Sequence, residues 1–255
     1  SVSVREAGVR GSDWTIPGAN PNAAYAGIPM ARGHVAGSDT NGDNLAYTVK
    51  PDGAAGAGGA TAEGRYGSLT IDADGEYVYR LDNDDRANRL SQGETFVEKF
   101  IVTVDDGRGM TAQQLITVTV SGTNDMPHLS IGWDNGNGIA EDASMAMTGH
   151  FIVTDPDGDA GNQTLTITGK DGTVSTVSPV DGHLGENAGN ATFSTEYGTL
   201  VLHPDGTCTY ELDNTSSTVQ GMSEGDRHTE TFDVTTTDEH GSFHTQTISV
   251  TVTGT

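Results

Sequence analysis

Apolar and polar residues alternate in short runs along this chain, and tight-turn residues separate the runs. Leu69 occupies one such run before an Asp-Gly turn, and Tyr79 occupies the next run after it. An alternation with period two is typical of a β-strand that has one buried face. The pattern therefore predicts a β-hairpin with strands over 68–72 and 76–81.

Two further strands follow the hairpin. Phe100 and Val102 alternate with polar residues on the first, an acidic glycine-containing turn follows at 105–109, and Ile116 and Val118 alternate on the second. No long segment shows the 3.6-residue period of an amphipathic helix. Short strands joined by tight turns predict an all-β fold, an antiparallel β-sandwich of the immunoglobulin or cadherin-like kind.

The strand pattern occurs twice. The run Tyr-Gly-Ser-Leu at 66–69 reappears as Tyr-Gly-Thr-Leu at 197–200, a spacing of 131 residues (66 to 197) that holds through the following hairpin. In the later strands the spacing is 132 residues (100 to 232). Constant spacing indicates two copies of one folding unit, and repetition is the signature of an array. We predict two domains of ordinary size, at 1–124 and 125–255.

The two copies differ by insertions. The acidic runs that begin at Asp39 and Asp155 are only 116 residues apart (39 to 155), so the first copy carries extra residues early and the second carries them later. Loops absorb additional length at a small entropic cost. We place the insertions within 9–29 and 160–190.

Charge narrows the possible partners. Twelve Lys and Arg against 36 Asp and Glu give a net charge of −24, which repels nucleic acid and anionic membrane surfaces. We therefore expect cations as partners, with no nucleic acid and no membrane insertion. The chain also begins without a charged or apolar leader, which is typical of an internal fragment of a longer protein.

Cys208 is the only cysteine, so an intrachain disulfide is excluded. It alternates with Tyr210 and Leu212 on one strand, and this pattern predicts a buried side chain that acts as a small hydrophobe. The alternative is a reactive thiol.

Three segments carry a family resemblance. They are D-G-x-Y-x-Y-x-L-D-N at 74–83, F-x-V-T-V-D-D-G-x-G at 100–109 and T-V-T-V-x-G-T-N-D-x-P at 117–127. Together they resemble the VCBS repeat of giant bacterial adhesins, whose layout is similar to that of cadherin domains. The resemblance implies a monomeric, calcium-rigidified extender of an RTX-type adhesin, exposed on the bacterial surface and anchored in the outer membrane. Its partners would be calcium and neighbouring domains of the same adhesin, in cell adhesion or biofilm formation.

Residue chemistry also favours calcium. This hard dication prefers six to eight oxygen ligands, and short loops rich in Asp and Asn supply them. The runs Asp-Pro-Asp-Gly-Asp at 155–159 and Asp-Thr-Asn-Gly-Asp at 39–43 are such loops. Neither is an EF-hand, because the twelfth position is Thr166 or Lys50 instead of glutamate. Asp-Gly pairs are also ordinary turn formers, so one acidic loop alone would be structural.

Topology predicts where these loops gather. In a seven-stranded sandwich, the connection between strands two and three and the connection between strands six and seven lie at the end where the chain enters the domain. For the second copy, that end is its joint with the first. Carboxylates crowded there repel one another unless a cation neutralises them. The ligands expected at this joint are Asn124, Asp125, Asp155, Asp157, Asp159 and Asp238. By analogy with cadherins, Glu6 and Asp82 would join them, and Glu141 would serve the following joint. The equivalent outer set of the first copy is Asp39, Asn41, Asp43, Asp105 and Asp106.

We expect no enzyme. The run Gly-Met-Ser-Glu-Gly at 221–225 fits a nucleophile motif, but that motif requires a strand-to-helix elbow, and a strand pattern follows here. Two other functions remain. One is a mechanical spacer, which the repetition favours. The other is a calcium-dependent carbohydrate-binding module that would use Trp14, Tyr25 or Trp133 as a stacking platform. A glycan array with and without calcium would distinguish them.

Overall fold

Two compact units make up the described part of the chain. The first ends at Asp125 and the second begins at Met126. The computed structural model describes residues 1–7, 27–82, 86–157, 163–169, 174–180, 190–203 and 205–255, with only the backbone for 175–180. Most of the predicted insertion at 9–29 and about half of the one at 160–190 lie outside these ranges, and so do Trp14, Tyr25 and Asp159.

The first unit is a sandwich of two four-stranded sheets. Its strands are β1 Val2–Arg5, β2 Met30–His34, β3 Ala46–Pro51, β4 Thr61–Glu63, β5 Gly67–Ile71, β6 Glu76–Leu81, β7 Thr95–Asp105 and β8 Thr111–Ser121. One sheet has the order β1-β8-β7-β3 and the other has the order β2-β6-β5-β4. The strands pair antiparallel except β1, which runs parallel to β8.

Side chains from both sheets form the core of this unit. Leu69 and Tyr79 lie opposite each other in the β5–β6 hairpin, and both are fully buried. They pack in one cluster with Phe100, Val102 and Val118 from the second sheet. The predicted hairpin is confirmed, because local alternation places these residues on the face that the second sheet covers.

The second unit repeats this plan with additions. Its sheets have the orders β10-β18-β17-β12-β13 and β14-β15-β16-β11-β9, and a single-turn helix, α1, precedes β17. No helix in the described ranges is long and apolar enough to cross a membrane. The elements are β9 His128–Trp133, β10 Gly138–Ala140, β11 Met147–Thr154, β12 Gln163–Gly169, β13 Val174–Val180, β14 Ala191–Ser194, β15 Gly198–Leu202, β16 Thr207–Leu212, α1 Ser217–Gln220, β17 Arg227–Thr237 and β18 Phe243–Thr253.

Each sandwich has more than the seven strands that the sequence led us to expect. Two short strands, β1 and β10, lie parallel to the last strand of their unit. They pair with an edge that would otherwise expose unpaired backbone groups. Among the described strands, β9 and β13 are found only in the second unit.

Recurrent glycines mark places where two strands approach closely. A Cβ added at Gly198 would overlap the carbonyl oxygen of Glu211 and lie 2.7 Å from Cζ of Tyr210. Gly67, the equivalent residue of the first unit, meets the carbonyl oxygen of Arg80 in the same way. The Tyr-Gly pair of the repeat is therefore a packing requirement, because no side chain fits between these strands.

Cys208 lies in the core of the second unit and is fully buried. Burial, assisted by the negative charge of Asp134, raises the pKa of its thiol from 9.0 to about 12. The predicted buried hydrophobe is confirmed.

Cys208 should resist thiol reagents in the folded protein and react only after unfolding, because the thiolate is the nucleophile. Between about pH 9 and pH 12 the unfolded chain loses this proton while the folded chain keeps it. The group therefore lowers stability as the pH rises through that range. Absorbance of a disulfide reagent at pH 8, with and without urea, measures the reactivity. Rapid labelling without urea would contradict the assignment.

Candidate functional site

A buried glutamate lies at one end of the first unit. Glu6 follows β1 and is fully buried, and its Oε1 accepts a 2.7 Å hydrogen bond from the backbone N–H of Thr123 and another from the Thr123 hydroxyl. Its Oε2 is buried and has no hydrogen-bond partner among the residues that the structure describes. Desolvation by burial raises the pKa of Glu6, although the Thr123 hydrogen bonds and the charge of Arg5 oppose the shift.

The second unit repeats this arrangement with Glu141. Its backbone N–H donates to the carbonyl oxygen of Thr253 at 2.9 Å, as the N–H of Glu6 donates to Ser121 at 3.1 Å. The Thr255 hydroxyl donates to Glu141 Oε1 at 3.4 Å, and Glu141 Oε2 is also buried, with no hydrogen-bond partner in the described ranges. A carboxylate oxygen removed from water without a donor is costly. Both units therefore present an oxygen suited to a cation or a proton.

The linker residues that follow Thr123 are also buried. Asn124 is 6% exposed and Asp125 is fully buried. Glu6 thus contacts Thr123, and the amide of Asn124 and the carboxylate of Asp125 follow Thr123 directly in the chain. Hard oxygen donors of this kind are the ligands that calcium prefers.

The acidic loop of the second unit begins at Asp155, directly after β11. Asp155 Oδ1 accepts from the backbone N–H of Asp157 at 3.1 Å, and Oδ2 accepts from Nε2 of Gln163 at 2.7 Å. Gln163 Oε1 in turn accepts from the hydroxyl of Thr236 at 3.0 Å. Thr236 precedes Asp238 by two residues, so this chain of hydrogen bonds ties the acidic loop to the end of β17.

Asp238 closes the turn after β17. Its Oδ1 accepts from the backbone N–H groups of His240 and Ser242, both at 2.8 Å. Asp157 and Asp238 are 7% and 6% exposed. Gln163 and Thr236 join the two acidic segments, and neither residue was among the predicted site residues. The available signal was a polar residue at a core-facing position of each strand.

In the outer acidic set of the first unit, an arginine side chain already neutralises one of the predicted ligands, Asp43. Arg108 Nε lies 2.7 Å from Asp43 Oδ2, and its Nη2 lies 2.8 Å from Asp43 Oδ1. Asp39 Oδ1 accepts from the backbone N–H groups of Asn41 and Asp43 at 2.7 and 3.1 Å. Such a bidentate ion pair neutralises the carboxylate that a metal would need.

Asp105 and Asp106 hold the turn between β7 and β8. Asp105 Oδ1 accepts from Gly107 N–H at 2.7 Å, and Asp106 Oδ1 accepts from the N–H groups of Arg108 and Met110 at 2.8 and 3.0 Å. Short aspartates commonly bind backbone in this way in turns.

The remaining predicted site residues are less enclosed. Asp82 is exposed after β6, and its backbone N–H donates to the Tyr66 carbonyl at 2.9 Å. The indole Nε1 of Trp133 donates to the Ser249 carbonyl at 2.9 Å, so this ring is held by the sandwich. In the part of the chain that the structure describes, no group of three or more His, Cys, Asp or Glu is placed to hold a metal ion. The predicted ligand set stays a prediction.

Comparison with known proteins places the chain near bacterial cadherin-like proteins. Residues 19–122 match the family model of the bacterial cadherin-like domain. The calcium-binding lectin RapA2 of Rhizobium johnstonii is 29% identical over 189 residues, which cover 69% of this chain and 75% of that protein.

Solved structures with similar folds are cadherin ectodomains. Repeats EC22–24 of mouse cadherin-23 match 99% of this chain and 62% of that chain, with 15% identity and a TM-score of 0.40. Repeats EC1–4 of PcdhgB3 match 82% of this chain and 41% of that chain, with 13% identity and a TM-score of 0.40. The chain spans less than two thirds of either structure. The two-sheet architecture of each unit confirms the predicted class, tandem cadherin-like β-sandwiches.

Proposed function

We propose that this chain is a calcium-binding, cadherin-like spacer of an extracellular bacterial adhesin. The observation that carries the proposal is the repeated buried glutamate, Glu6 and Glu141, with Oε2 unsatisfied in each unit. A net charge of −24 also favours a divalent counterion. The match to bacterial cadherin-like domains and the likeness to a calcium-binding lectin support the same class.

Residues of several types would hold the metal. Glu6, Asn124 and Asp125 would act where the chain leaves the first unit, and Asp155, Asp157 and Asp238 would act where it enters the second. Asp82 and Asp159 are further predicted ligands, and Glu141 would serve the same purpose as Glu6. Calcium would neutralise carboxylates that burial disfavours. Because Asn124 and Asp125 are linker residues, metal bound there would restrict rotation of the linker backbone.

The outer acidic set of the first unit, which includes Asp43, is not proposed to bind calcium. Arg108 already pairs with Asp43, so binding of a metal there would first have to displace a bidentate guanidinium.

Glu6→Gln should reverse its effect on stability when calcium is added. In chelator, the variant should equal or exceed the parent at pH 7, because a buried carboxylate with a raised pKa destabilises the fold above its unfolded pKa. In calcium at about 100 times Kd, the parent should gain about 2.7 kcal/mol per site, roughly 10 °C in Tm, and the variant should gain less. Differential scanning calorimetry measures both.

Asp74→Asn is the matched control, since it removes one carboxylate from an exposed hairpin turn outside the predicted ligand sets. It should keep the full response to calcium. Equal Tm values for the parent protein in calcium and in chelator would contradict calcium binding. Small-angle scattering of the same samples tests the spacer role, which requires a narrower distribution of dimensions in calcium.

A second candidate function is calcium-dependent carbohydrate binding, which the likeness to a calcium-binding lectin favours. A glycan array with and without calcium tests it. A pure spacer captures no glycan, whereas capture that is lost on Trp14→Ala or Tyr25→Ala would support the recognition module.

A further inference from the structure

Corresponding cavities lie in the two units, and the charged residues that line them differ. The cavity of the second unit has a volume of about 450 Å³, and its counterpart in the first has about 430 Å³. Both contain the residue before the Tyr-Gly pair and a glutamate of the long strand, Arg65 and Glu98 in the first unit and Glu196 and Glu230 in the second.

In the first unit the chain places a cation of its own beside the aromatic rings. The Arg65 guanidinium lies 5.3 Å from the ring centroids of both Tyr66 and Phe96. Beneath them, Glu98 is 5% exposed and accepts hydrogen bonds from the N–H of Tyr66 at 2.9 Å, the Tyr79 hydroxyl at 2.5 Å and the N–H of Arg65. In the first unit, therefore, a guanidinium of the chain lies beside the aromatic rings, and hydrogen-bond donors of the chain satisfy the Glu98 carboxylate.

The second unit keeps the rings and the carboxylate but lacks the guanidinium. Tyr197 and His228 stack with centroids 3.8 Å apart and an interplanar angle of 4°. Glu230 is half-buried and accepts from the Tyr210 hydroxyl. Glu196 stands where the first unit has Arg65.

Glu230 also has fewer backbone donors than Glu98. The N–H groups of Tyr197 and Gly198 donate to Thr195 Oγ1 at 3.2 and 3.1 Å instead. The described residues that line this cavity include Glu196 and Glu230 and no Lys or Arg. Among the described residues, this cavity therefore joins aromatic faces to two carboxylates with no Lys or Arg in its lining.

We propose that this cavity of the second unit binds a guanidinium or alkylammonium group of another molecule. The cationic group of the ligand lies beside the rings of Tyr197 and His228, as the Arg65 guanidinium lies beside the rings of the first unit. An aromatic face attracts a cation, and a carboxylate forms charge-assisted hydrogen bonds with a guanidinium. The volume is within the range of small-ligand pockets and accommodates a whole arginine side chain. The site is separate from the proposed calcium ligands and goes beyond the spacer function.

Nuclear magnetic resonance titration of the full chain in calcium buffer tests this proposal. N-acetyl-L-argininamide is the probe, and N-acetyl-L-citrullinamide is its neutral isostere. We expect saturable shifts of the Tyr197 and His228 ring resonances with the arginine probe, with a Kd of about 1 mM, as one or two such contacts permit. The citrulline probe should bind about tenfold more weakly.

Variants separate the contributions. Glu230→Gln should weaken arginine binding about tenfold while the amide oxygen still accepts from Tyr210. Glu196→Arg, which restores the residue type of the first unit, should abolish it, because the chain then supplies its own cation. Glu211→Gln is the control, since this exposed carboxylate lies outside the cavity. Glu196→Gln changes an exposed side chain and keeps the test valid if another variant unfolds.

Three results would overturn the proposal. The first is an absence of ring shifts up to the solubility of the arginine probe. The second is equal binding of the arginine and citrulline probes, which would show that charge is irrelevant. The third is a shift of the same resonances by methyl α-D-glucopyranoside without any effect of arginine, which would identify a saccharide site instead.

Discussion

Gly198→Ala is expected to destabilise the second unit by about 3 kcal/mol or to prevent it from folding. The added Cβ would overlap the carbonyl oxygen of Glu211 and lie 2.7 Å from Cζ of Tyr210. Gly198 pairs with Leu212 in the β15–β16 hairpin, so relief of the overlap would separate two hydrogen-bonded strands. Tyr210 is fully buried, and a packed interior leaves its ring little room to move.

Gly132→Ala is the matched control for Gly198→Ala. Both glycines lie in strands of the same sheet, but a Cβ at Gly132 would meet nothing within 4 Å. This control should be neutral or slightly stabilising, because alanine restricts the unfolded backbone more than glycine does. Urea unfolding in a Trp14→Phe background, followed by Trp133 fluorescence, measures both variants. A Gly198→Ala midpoint equal to that of the control would refute the packing requirement.

Glu98→Ala should cost the first unit about 4 kcal/mol, whereas Glu230→Ala should cost the second about 1–2 kcal/mol. Truncation of Glu98 strands two backbone N–H groups and the hydroxyl of buried Tyr79. Truncation of Glu230 strands the Tyr210 hydroxyl, whereas the backbone N–H of Tyr197, the equivalent of Tyr66, keeps its bond to Thr195 Oγ1. The internal repeat therefore provides its own comparison at one structural position.

Native-state hydrogen exchange measures these two losses separately. The amides of Val102 and Val234 report on the cores of the first and second units, since both residues are fully buried in the long strands. Glu98→Gln should recover part of the loss, because its amide oxygen still accepts a hydrogen bond. Equal losses for Glu98→Ala and Glu230→Ala would show that the backbone hydrogen bonds to Glu98 contribute little.

Local pattern was sufficient for much of the fold. The alternation around Leu69 and Tyr79 predicted the hairpin and its buried face, and the alternation around Cys208 predicted its burial. These predictions succeed because strand period and turn chemistry depend on residues close in sequence. The strand count was underestimated, because a strand as short as β10 is stabilised by a distant partner strand more than by its own sequence.

The candidate sites were less accessible to sequence reasoning. Acidic loops indicate calcium by their composition. The Arg108–Asp43 ion pair, however, joins residues far apart in the chain, and the sequence around Asp43 does not predict it. The hydrogen bonds through Gln163 and Thr236 are equally non-local. The cavity at Glu230 becomes visible only beside its counterpart at Glu98.

The amino-acid sequence by itself determined the β-class, the internal repeat, the acidic character and the core-facing residues of the predicted strands. Only the tertiary structure decided which carboxylates are buried, which are neutralised by an arginine of the chain, and which line a cavity. The physical reason is that strand pattern is set by neighbouring residues, whereas desolvation and charge pairing depend on whichever distant groups the packed sheets bring within a few ångströms.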